Sequence, residues 1–413
     1  MIKMNFLKKE LQVWRHYRLR KKKKIRVLFL FADSEVWSMA NLYRKLQKDG
    51  RFEPVIGVLP YFHLDPTIAC DPDKYKKSVL FCKKNHFQYV HLYKEKSGRF
   101  LSIGRYKPDV VCFNSTMYLA GIEEAFQFCR THNVKTFFVS YGYFLSHGVD
   151  AIFNSPFQNG MDWLFWESKP TLEMSEKYSD NHGKNACFLG YPKLDNFFDG
   201  HLSEKAWKTQ QKAKKKVIWA PHHSIDPDPD SYYGLSCFCE LADTMLELTD
   251  KYRDQIQFAF RPHPLLKSRL TADGRWGKEK TQAYYAEWEK RENTQFSEGN
   301  YIDLFLSSDA MIGDSISFTC EYTAIDKPYL YTARRPSVSE KFNDLGKLVL
   351  KELLYQAPPA AEQIEHFLET IVLKEQDPLK EKRQTFSRNN LLAPNGKSAS
   401  ENIFEFLKKE LLK

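Results

Sequence analysis

Hydrophobic residues fall into short β-rich runs separated by amphipathic stretches. Ile25–Phe31 (IRVLFLF) is an unbroken apolar run, the pattern of a parallel strand buried on both faces. Val36–Lys48 follows with helical spacing and stops at Asp49-Gly50. Pro54–Leu59, Phe87–Leu92, Asp109–Phe113 and Val134–Ser140 predict further strands, and Gly121–His132 a helix. The pattern then restarts. Lys215–Ala220, Ile256–Phe260, Ala310–Ile312 and Tyr329–Tyr331 predict strands; Ser236–Asp250, Tyr301–Ser307 and Phe318–Ile325 predict helices. Strands alternating with helices indicate doubly wound α/β units with parallel sheets, and here there are two. The expected organisation is an arm over 1–24, an α/β domain over 25–195 and a polar, Lys-rich linker over 196–214. A second α/β domain over 215–395 and a C-terminal helix over 396–413 complete it, the last from the helical spacing of Ile403, Phe404, Phe406, Leu407 and Leu411. No internal repeat of fixed period is visible. Two such domains are expected to face a cleft at the carboxyl ends of their strands, where open α/β sheets bind ligands.

Composition narrows the class. With 42% hydrophobic and 28% charged residues over 413 positions, the chain is globular and not disordered. No run reaches the ~18 apolar residues of a membrane span, and no secretory signal is recognisable. The net charge of +10 is concentrated: residues 1–26 hold eleven Lys/Arg and one acid, leaving 51 basic and 51 acidic residues in the rest. That distribution argues against a nucleic-acid partner. It argues for one basic attachment device. Ile2, Phe6, Leu7, Leu11, Val13 and Trp14 are interleaved with basic residues and followed by Lys21, Lys22, Lys23 and Lys24, which suits an anionic membrane surface. Eight irregularly spaced cysteines without a CxxC pair indicate free thiols in a reducing cytoplasm.

Three segments carry candidate chemistry. Trp219-Ala220-Pro221-His222-His223-Ser224 and Arg261-Pro262-His263-Pro264 each follow a predicted strand directly. Histidine donates hydrogen bonds and carries protons near neutrality, and arginine offers a fork for phosphate oxygens. The third segment, Ser308 to Tyr322, contains Asp309, Asp314, Ser315, Ser317, Thr319 and Glu321. Its hydroxyls and free N–H groups at a helix start suit an anion, and Glu321, about a turn inside, suits sugar hydroxyls. Asp309 reads as a cap or loop-orienting residue. Together these residues suit a pyrophosphate flanked by a nucleoside. Asp226-Pro-Asp228-Pro-Asp230 lacks the Gly and Glu of a calcium loop and reads as a charged turn. Cys237 and Cys239 have no partners at zinc spacing.

The order WAPHHS, RPHP, SDAMIGDSISFTCEYTAIDKPYLY and NGKSASENIFEFL resembles the CDP-glycerol glycerophosphotransferase family of teichoic acid and capsule synthesis, over about residues 187–410. Leu189-Gly190-Tyr191-Pro192-Lys193-Leu194-Asp195 resembles that family's Gly-Tyr-Pro segment. The resemblance implies a two-domain GT-B-like fold, with the acceptor domain first and the nucleotide-donor domain second. It implies attachment to the cytoplasmic face of a bacterial membrane. It also implies transfer of glycerol or ribitol phosphate from a CDP-linked donor to a hydroxyl of a glycan or lipid-linked polymer, releasing CMP. Arg261 and His263 would contact the donor pyrophosphate, Asp314, Ser315, Ser317 and Thr319 would form the phosphate loop, and Glu321 would reach the sugar. His222 or His223 would line the same site, with no metal or cofactor required. Two departures stand out. The family's Asp-Tyr-Ser-Ser is Asp314-Ser315-Ile316-Ser317 here. The Trp-His-Gly-Thr segment that bears the general base is replaced over 139–148 by VSYGYFLSHG, leaving His147 as its substitute or Tyr141-Gly142 as a different acceptor site. That departure keeps two alternatives open: a GT-B glycosyltransferase using a nucleotide sugar for capsule or lipooligosaccharide, and a non-catalytic, membrane-attached binding protein.

Overall fold

The computed structural model describes residues 19, 21–34, 36–61, 72–114, 121–148, 152–200, 206–228, 230–231 and 234–412. Most of the basic arm, residues 1–18 and 20, lies outside them.

The chain forms two compact units. The first comprises Met1–Tyr143, Val149–Asp195 and Ala393–Lys413. Apart from a short antiparallel pair, Tyr93–Lys94 with Arg99–Phe100, its strands are β1 (Ile25–Phe31), β2 (Phe52–Val58), β3 (Tyr89–His91), β4 (Val110–Phe113), β5 (Lys135–Val139), β6 (Trp163–Trp166) and β7 (Ala186–Phe188), numbered here without that pair. They form one sheet in the order β3-β2-β1-β4-β5-β6-β7, with every neighbour parallel. The aliphatic and aromatic runs dictate this arrangement, because a strand covered by helices on both faces must be apolar on both. β1 registers Val27 against Val110 on one side and Pro54 on the other. Its core gathers Val27, Phe29 and Phe31 with Leu42, Tyr43 and Leu46 of helix Ala40–Lys48.

The C-terminal helix Ala399–Leu412 completes this same core through Ile403, Leu407 and Leu411. Asp195 fixes its start. One carboxylate oxygen accepts the Ala399 N–H at 2.8 Å and the other the Ser400 N–H at 2.9 Å, satisfying donors that a helix N-terminus leaves open. Gly190, at φ +96°, brings the chain against Ala393; a Cβ there would lie 2.5 Å from the Ala393 Cβ. The Gly-Tyr-Pro segment therefore closes the first unit.

The second unit comprises Phe144–Gly148 and Asn196–Leu392. Residues 206–214, part of the stretch expected as a linker, pack on this unit: Trp207 is buried and donates from Nε1 to the Leu304 carbonyl. The six strands are β8 (Lys215–Ala220), β9 (Ile256–Phe260), β10 (Thr294–Phe296), β11 (Ala310–Gly313), β12 (Tyr329–Thr332) and β13 (Tyr355–Ala357). Their order is β10-β9-β8-β11-β12-β13, again all parallel. Aromatic residues fill the core over β8 and β9. Trp219 stacks on Phe238 at 5.5 Å, and its ring centroid lies 5.1 Å from that of Phe260.

In both sheets the chain leaves the first strand in one direction and returns beside it through the fourth. The gaps between β1 and β4, and between β8 and β11, are topological switch points, where ligands bind beyond the carboxyl ends. No described helix is long and apolar enough to cross a membrane. The seven described cysteines are thiols, not disulfides.

Candidate functional site

The switch point of the second sheet collects the candidate residues. β8 ends at Ala220 and is followed by His222 and His223. β9 ends at Phe260 and is followed by Arg261 and His263. β11 ends at Gly313 and is followed by Asp314 and Ser315. Gly313 makes the junction possible: a Cβ there would lie 2.4 Å from the Tyr329 hydroxyl oxygen and 2.9 Å from the Ala220 carbonyl oxygen.

Asp314 is the fastener. Its buried carboxylate accepts the His222 N–H at 2.6 Å on one oxygen. The other oxygen accepts the Cys237 N–H at 2.6 Å and the Ser236 hydroxyl at 3.0 Å. The loop after β8 and the start of helix Phe238–Lys251 thus hang on one side chain of the loop after β11. Burial outweighs the three donated hydrogen bonds and pushes the Asp314 carboxyl up to about 6. β12 holds the same loop from behind: Tyr331 donates to the Asp314 carbonyl and Tyr329 to the Ser315 carbonyl, each at 3.1 Å.

Three imidazoles converge on this support. The ring centroids of His222 and His223 are 4.2 Å apart, those of His223 and His263 4.3 Å, and those of His222 and His263 5.1 Å. Their closest set of ring nitrogens lies within 4.8 Å. All three are half-buried. Burial and the two neighbouring imidazoles hold the His222 pKa well below its ordinary value. His222 Nδ1 meets the Ser224 hydroxyl at 2.7 Å. His263 Nδ1 accepts the Leu265 N–H at 3.2 Å, which assigns the proton of the neutral ring to Nε2.

Residue type alone would let this trio hold a transition metal. The His263 tautomer argues otherwise. A metal at Nε2 would need that nitrogen deprotonated while Nδ1 is already an acceptor. A ring that carries its proton on Nε2 instead suits an anion.

The remaining candidates divide. Arg261 is buried; it donates to the Gly299 carbonyl at 2.5 Å and the Ser297 hydroxyl at 3.3 Å, and its guanidinium lies 5.2 Å from the Tyr301 ring centroid. Ser315 donates to the Ser317 hydroxyl at 2.9 Å, and the Ser317 N–H returns to Ser315 at 3.1 Å, forming a turn before helix Thr319–Ala324. Thr319 bonds the Ile316 carbonyl. Glu321 was expected a turn inside the helix, facing sugar. It sits in the first turn, buried, and accepts the Tyr301 hydroxyl at 2.9 Å. Tyr301 thus joins Arg261 to Glu321. Sequence patterning carries no signal for that link, because Tyr301 precedes a five-residue helix and looks like core.

Other motif residues lie elsewhere. Asp309 sits at the opposite, amino end of β11 and accepts the Lys216 N–H at 2.7 Å. Lys327 donates to the carbonyls of Phe305, Leu306 and Ser308, closing helix Ile302–Leu306. His147 is exposed and not part of the histidine trio. Its segment was expected in the first domain but belongs to the second unit, where the His147 N–H donates to the Lys341 carbonyl at 3.0 Å and Ser146 bridges Phe342. Lys22 is tied to Asp109 at 2.6 Å, while Lys21, Lys23 and Lys24 are exposed. Arg334 donates to the Asp226 and Pro227 carbonyls, so the Asp-Pro-Asp stretch is an anchored loop.

A family model for CDP-Glycerol:Poly(glycerophosphate) glycerophosphotransferase matches residues 158–409, more than half of the chain. The protein belongs to that family. It is accordingly a transferase, and the matched region contains the histidine trio and the Ser315–Ser317 turn. No curated protein sequence matches. Solved structures of similar shape include the wall teichoic acid polymerase TagF soaked with CDPG. It has TM-score 0.56 and 16% identity, covering 99% of this chain and 96% of that one. The Staphylococcus aureus MnaA–UDP co-structure has TM-score 0.58 and 15% identity, covering 94% and 98%. UDP-GlcNAc 2-epimerase from Neisseria meningitidis, bound to UDP-GlcNAc, has TM-score 0.58 and 13% identity, covering 94% and 99%. At these identities the likeness concerns the fold, and the glycerophosphotransferase family member is α/β and GT-B-like as expected.

Proposed function

We propose that this transferase moves a polyol phosphate, glycerol or ribitol phosphate, from a CDP-linked donor to a hydroxyl of a wall-polymer or surface-glycan acceptor. The acceptor oxygen bonds to the phosphorus that bears the polyol. The bond from that phosphorus to the oxygen shared with the cytidylyl phosphate breaks, and CMP leaves with the electron pair. A base takes the acceptor's proton, and His147 is the residue we assign to it.

One observation carries this reading. Three imidazoles and the Ser315–Ser317 turn meet at the carboxyl end of the second sheet's switch point, in a family member. His263 Nε2–H, His222 and His223 would donate to the pyrophosphate as charge shifts onto the leaving CMP. Arg261 would add positive charge from behind and keep the Ser297–Gly299 loop in place. Asp314 would preserve the spacing of the three loops, since misplacement by even 1 Å is costly. No metal or cofactor enters this scheme.

The basic arm would hold the enzyme at an anionic membrane surface, where polymer acceptors reside. Leu19 is part of the first core and Lys22 is paired with Asp109, so the dispensable portion ends at Arg18. Removing residues 1–18 should release the protein from anionic vesicles without unfolding it; unchanged co-sedimentation contradicts the attachment role.

CMP release from CDP-glycerol and CDP-ribitol, each with a wall-polymer acceptor, tests the reaction. Turnover with a UDP-sugar in place of either would replace it with glycosyl transfer. Binding of cytidine nucleotides without turnover would replace it with a binding role.

A further inference from the structure

We propose that the His222–His223–His263 cluster takes up a proton when the donor's diphosphate binds, so that the site captures the nucleotide as an anion together with a proton. The inference rests on the donor-site reading above and adds the protonation chemistry of that site.

The geometry creates the coupling. Three imidazoles lie with ring centroids 4.2, 4.3 and 5.1 Å apart, so a proton on one raises the cost of a proton on the next. On the neighbouring loop, the Asp314 carboxylate holds the backbone beneath the rings by accepting the His222 N–H, the Cys237 N–H and the Ser236 hydroxyl. Arg261, after β9, adds positive charge. The perturbation of His222 follows the same logic: burial first, then His223 and His263, all opposing its charged form. In the empty site His222 is therefore held in its neutral form.

A diphosphate against these rings reverses the balance. A multiply charged anion in a half-buried site favours imidazolium over imidazole. The hydrogen bonds at two of the rings bear on this. His263 already presents Nε2–H because Nδ1 accepts from Leu265, and His222 can exchange donor and acceptor roles with Ser224. The complex then holds more protons than the separated partners. By linkage, affinity rises as pH falls, over the interval in which the occupied site holds that proton and the empty site does not. One linked proton changes the dissociation constant about tenfold per pH unit within that interval.

The test is calorimetric titration of the full chain with CDP at pH 7.5, where the nucleotide's own phosphates are already ionised. Buffers of different ionisation enthalpy are compared, and the dependence of the observed heat on the buffer gives the protons exchanged. The expected result is uptake of about one proton per CDP bound and a dissociation constant that weakens about tenfold from pH 7.5 to 8.5. Imidazole ¹⁵N shifts in the CDP complex should move toward the imidazolium pattern. His222→Asn, which removes one titrating ring, should weaken CDP binding and lower the number of protons taken up per CDP bound. Tight CDP binding with no proton exchange would overturn the inference and leave the donor-site reading standing. Absence of binding by CDP would overturn both. Loss of CDP binding in EDTA, restored by Zn²⁺, would overturn the inference in favour of a metal centre on the same nitrogens.

Discussion

The two sheets share a topology and differ at one end. At the amino ends they use the same device. Asp109 precedes β4 and Asp309 precedes β11. Each accepts a backbone N–H from the second residue of the neighbouring first strand, Arg26 at 3.0 Å and Lys216 at 2.7 Å. Each also pairs with a lysine, Lys22 or Lys215. Each returns its own N–H to the same residue's carbonyl, at 3.0 and 2.7 Å. At the carboxyl ends the likeness stops. In the first sheet Asp33 is paired with Lys74 at 2.8 Å, and Asn114 donates to the Ser38 hydroxyl and the Val139 carbonyl. Those residues tie their own scaffold together. In the second sheet the equivalent edge holds three imidazoles above Asp314. The support of the strands is repeated, whereas the chemistry depends on a few residues beyond their carboxyl ends. Fold and function are therefore separable by mutation.

The largest expected effect is at His263. His263→Ala should lower turnover about 10²–10³-fold, the usual loss for one donor aimed at developing charge, with an unchanged melting temperature. Steady-state CMP release and circular dichroism measure the two. Wild-type turnover in that variant removes the site assignment.

Asp314→Ala should damage both properties. It strands two backbone N–H groups and a hydroxyl, which costs about 3 kcal/mol or more of stability, and it frees the loop bearing His222. Chemical denaturation reads the first effect and CDP affinity the second. The Asp314 carboxyl also carries a pH signature. Its folded pKa, about 6, lies above the ordinary carboxylate value of 3.8. The folded state therefore binds more protons between about pH 4 and 6, and this group's contribution to stability is lost as pH rises through that window. Asp314→Asn should flatten that part of the stability–pH profile. An unaltered slope would mean that another group produces it.

The amino-end aspartates should behave alike but unequally. Asp109 is 11% exposed and Asp309 37%. Asp109→Ala should cost about 2 kcal/mol and Asp309→Ala about 1 kcal/mol or less, because solvent screens the second. Neither should alter CDP affinity. A loss of affinity from either would mean that the two ends of a sheet are coupled.

Most of the strands were legible because buried parallel strands need unbroken apolar runs, as in Ile25–Phe31 and Ile256–Phe260. The short strands Trp163–Trp166, Ala186–Phe188, Thr294–Phe296 and Tyr355–Ala357 were not anticipated. The histidines and Asp314 stood out because polar residues immediately after apolar runs mark strand ends. Their support did not. Asp195 capping a helix some 200 residues later, and Tyr329 and Tyr331 holding the Asp314 loop by their hydroxyls, are long-range contacts with no local pattern. The same holds for Glu321, whose buried carboxylate accepts the Tyr301 hydroxyl across 20 positions of sequence.

The most direct test of the account is a CDP thermal-shift titration of three proteins: wild type, His263→Ala and Asn114→Ala. Asn114→Ala alters the carboxyl end of the first sheet and should lower the starting melting temperature slightly, by removing a buried hydrogen-bonding side chain. Selective binding to the folded state raises the melting temperature by mass action, worth about 2.7 kcal/mol at a hundredfold excess over the dissociation constant. The account predicts that CDP stabilises wild type and Asn114→Ala equally and His263→Ala little or not at all. A CDP response that survives in His263→Ala and disappears in Asn114→Ala would place the nucleotide on the other sheet and contradict it.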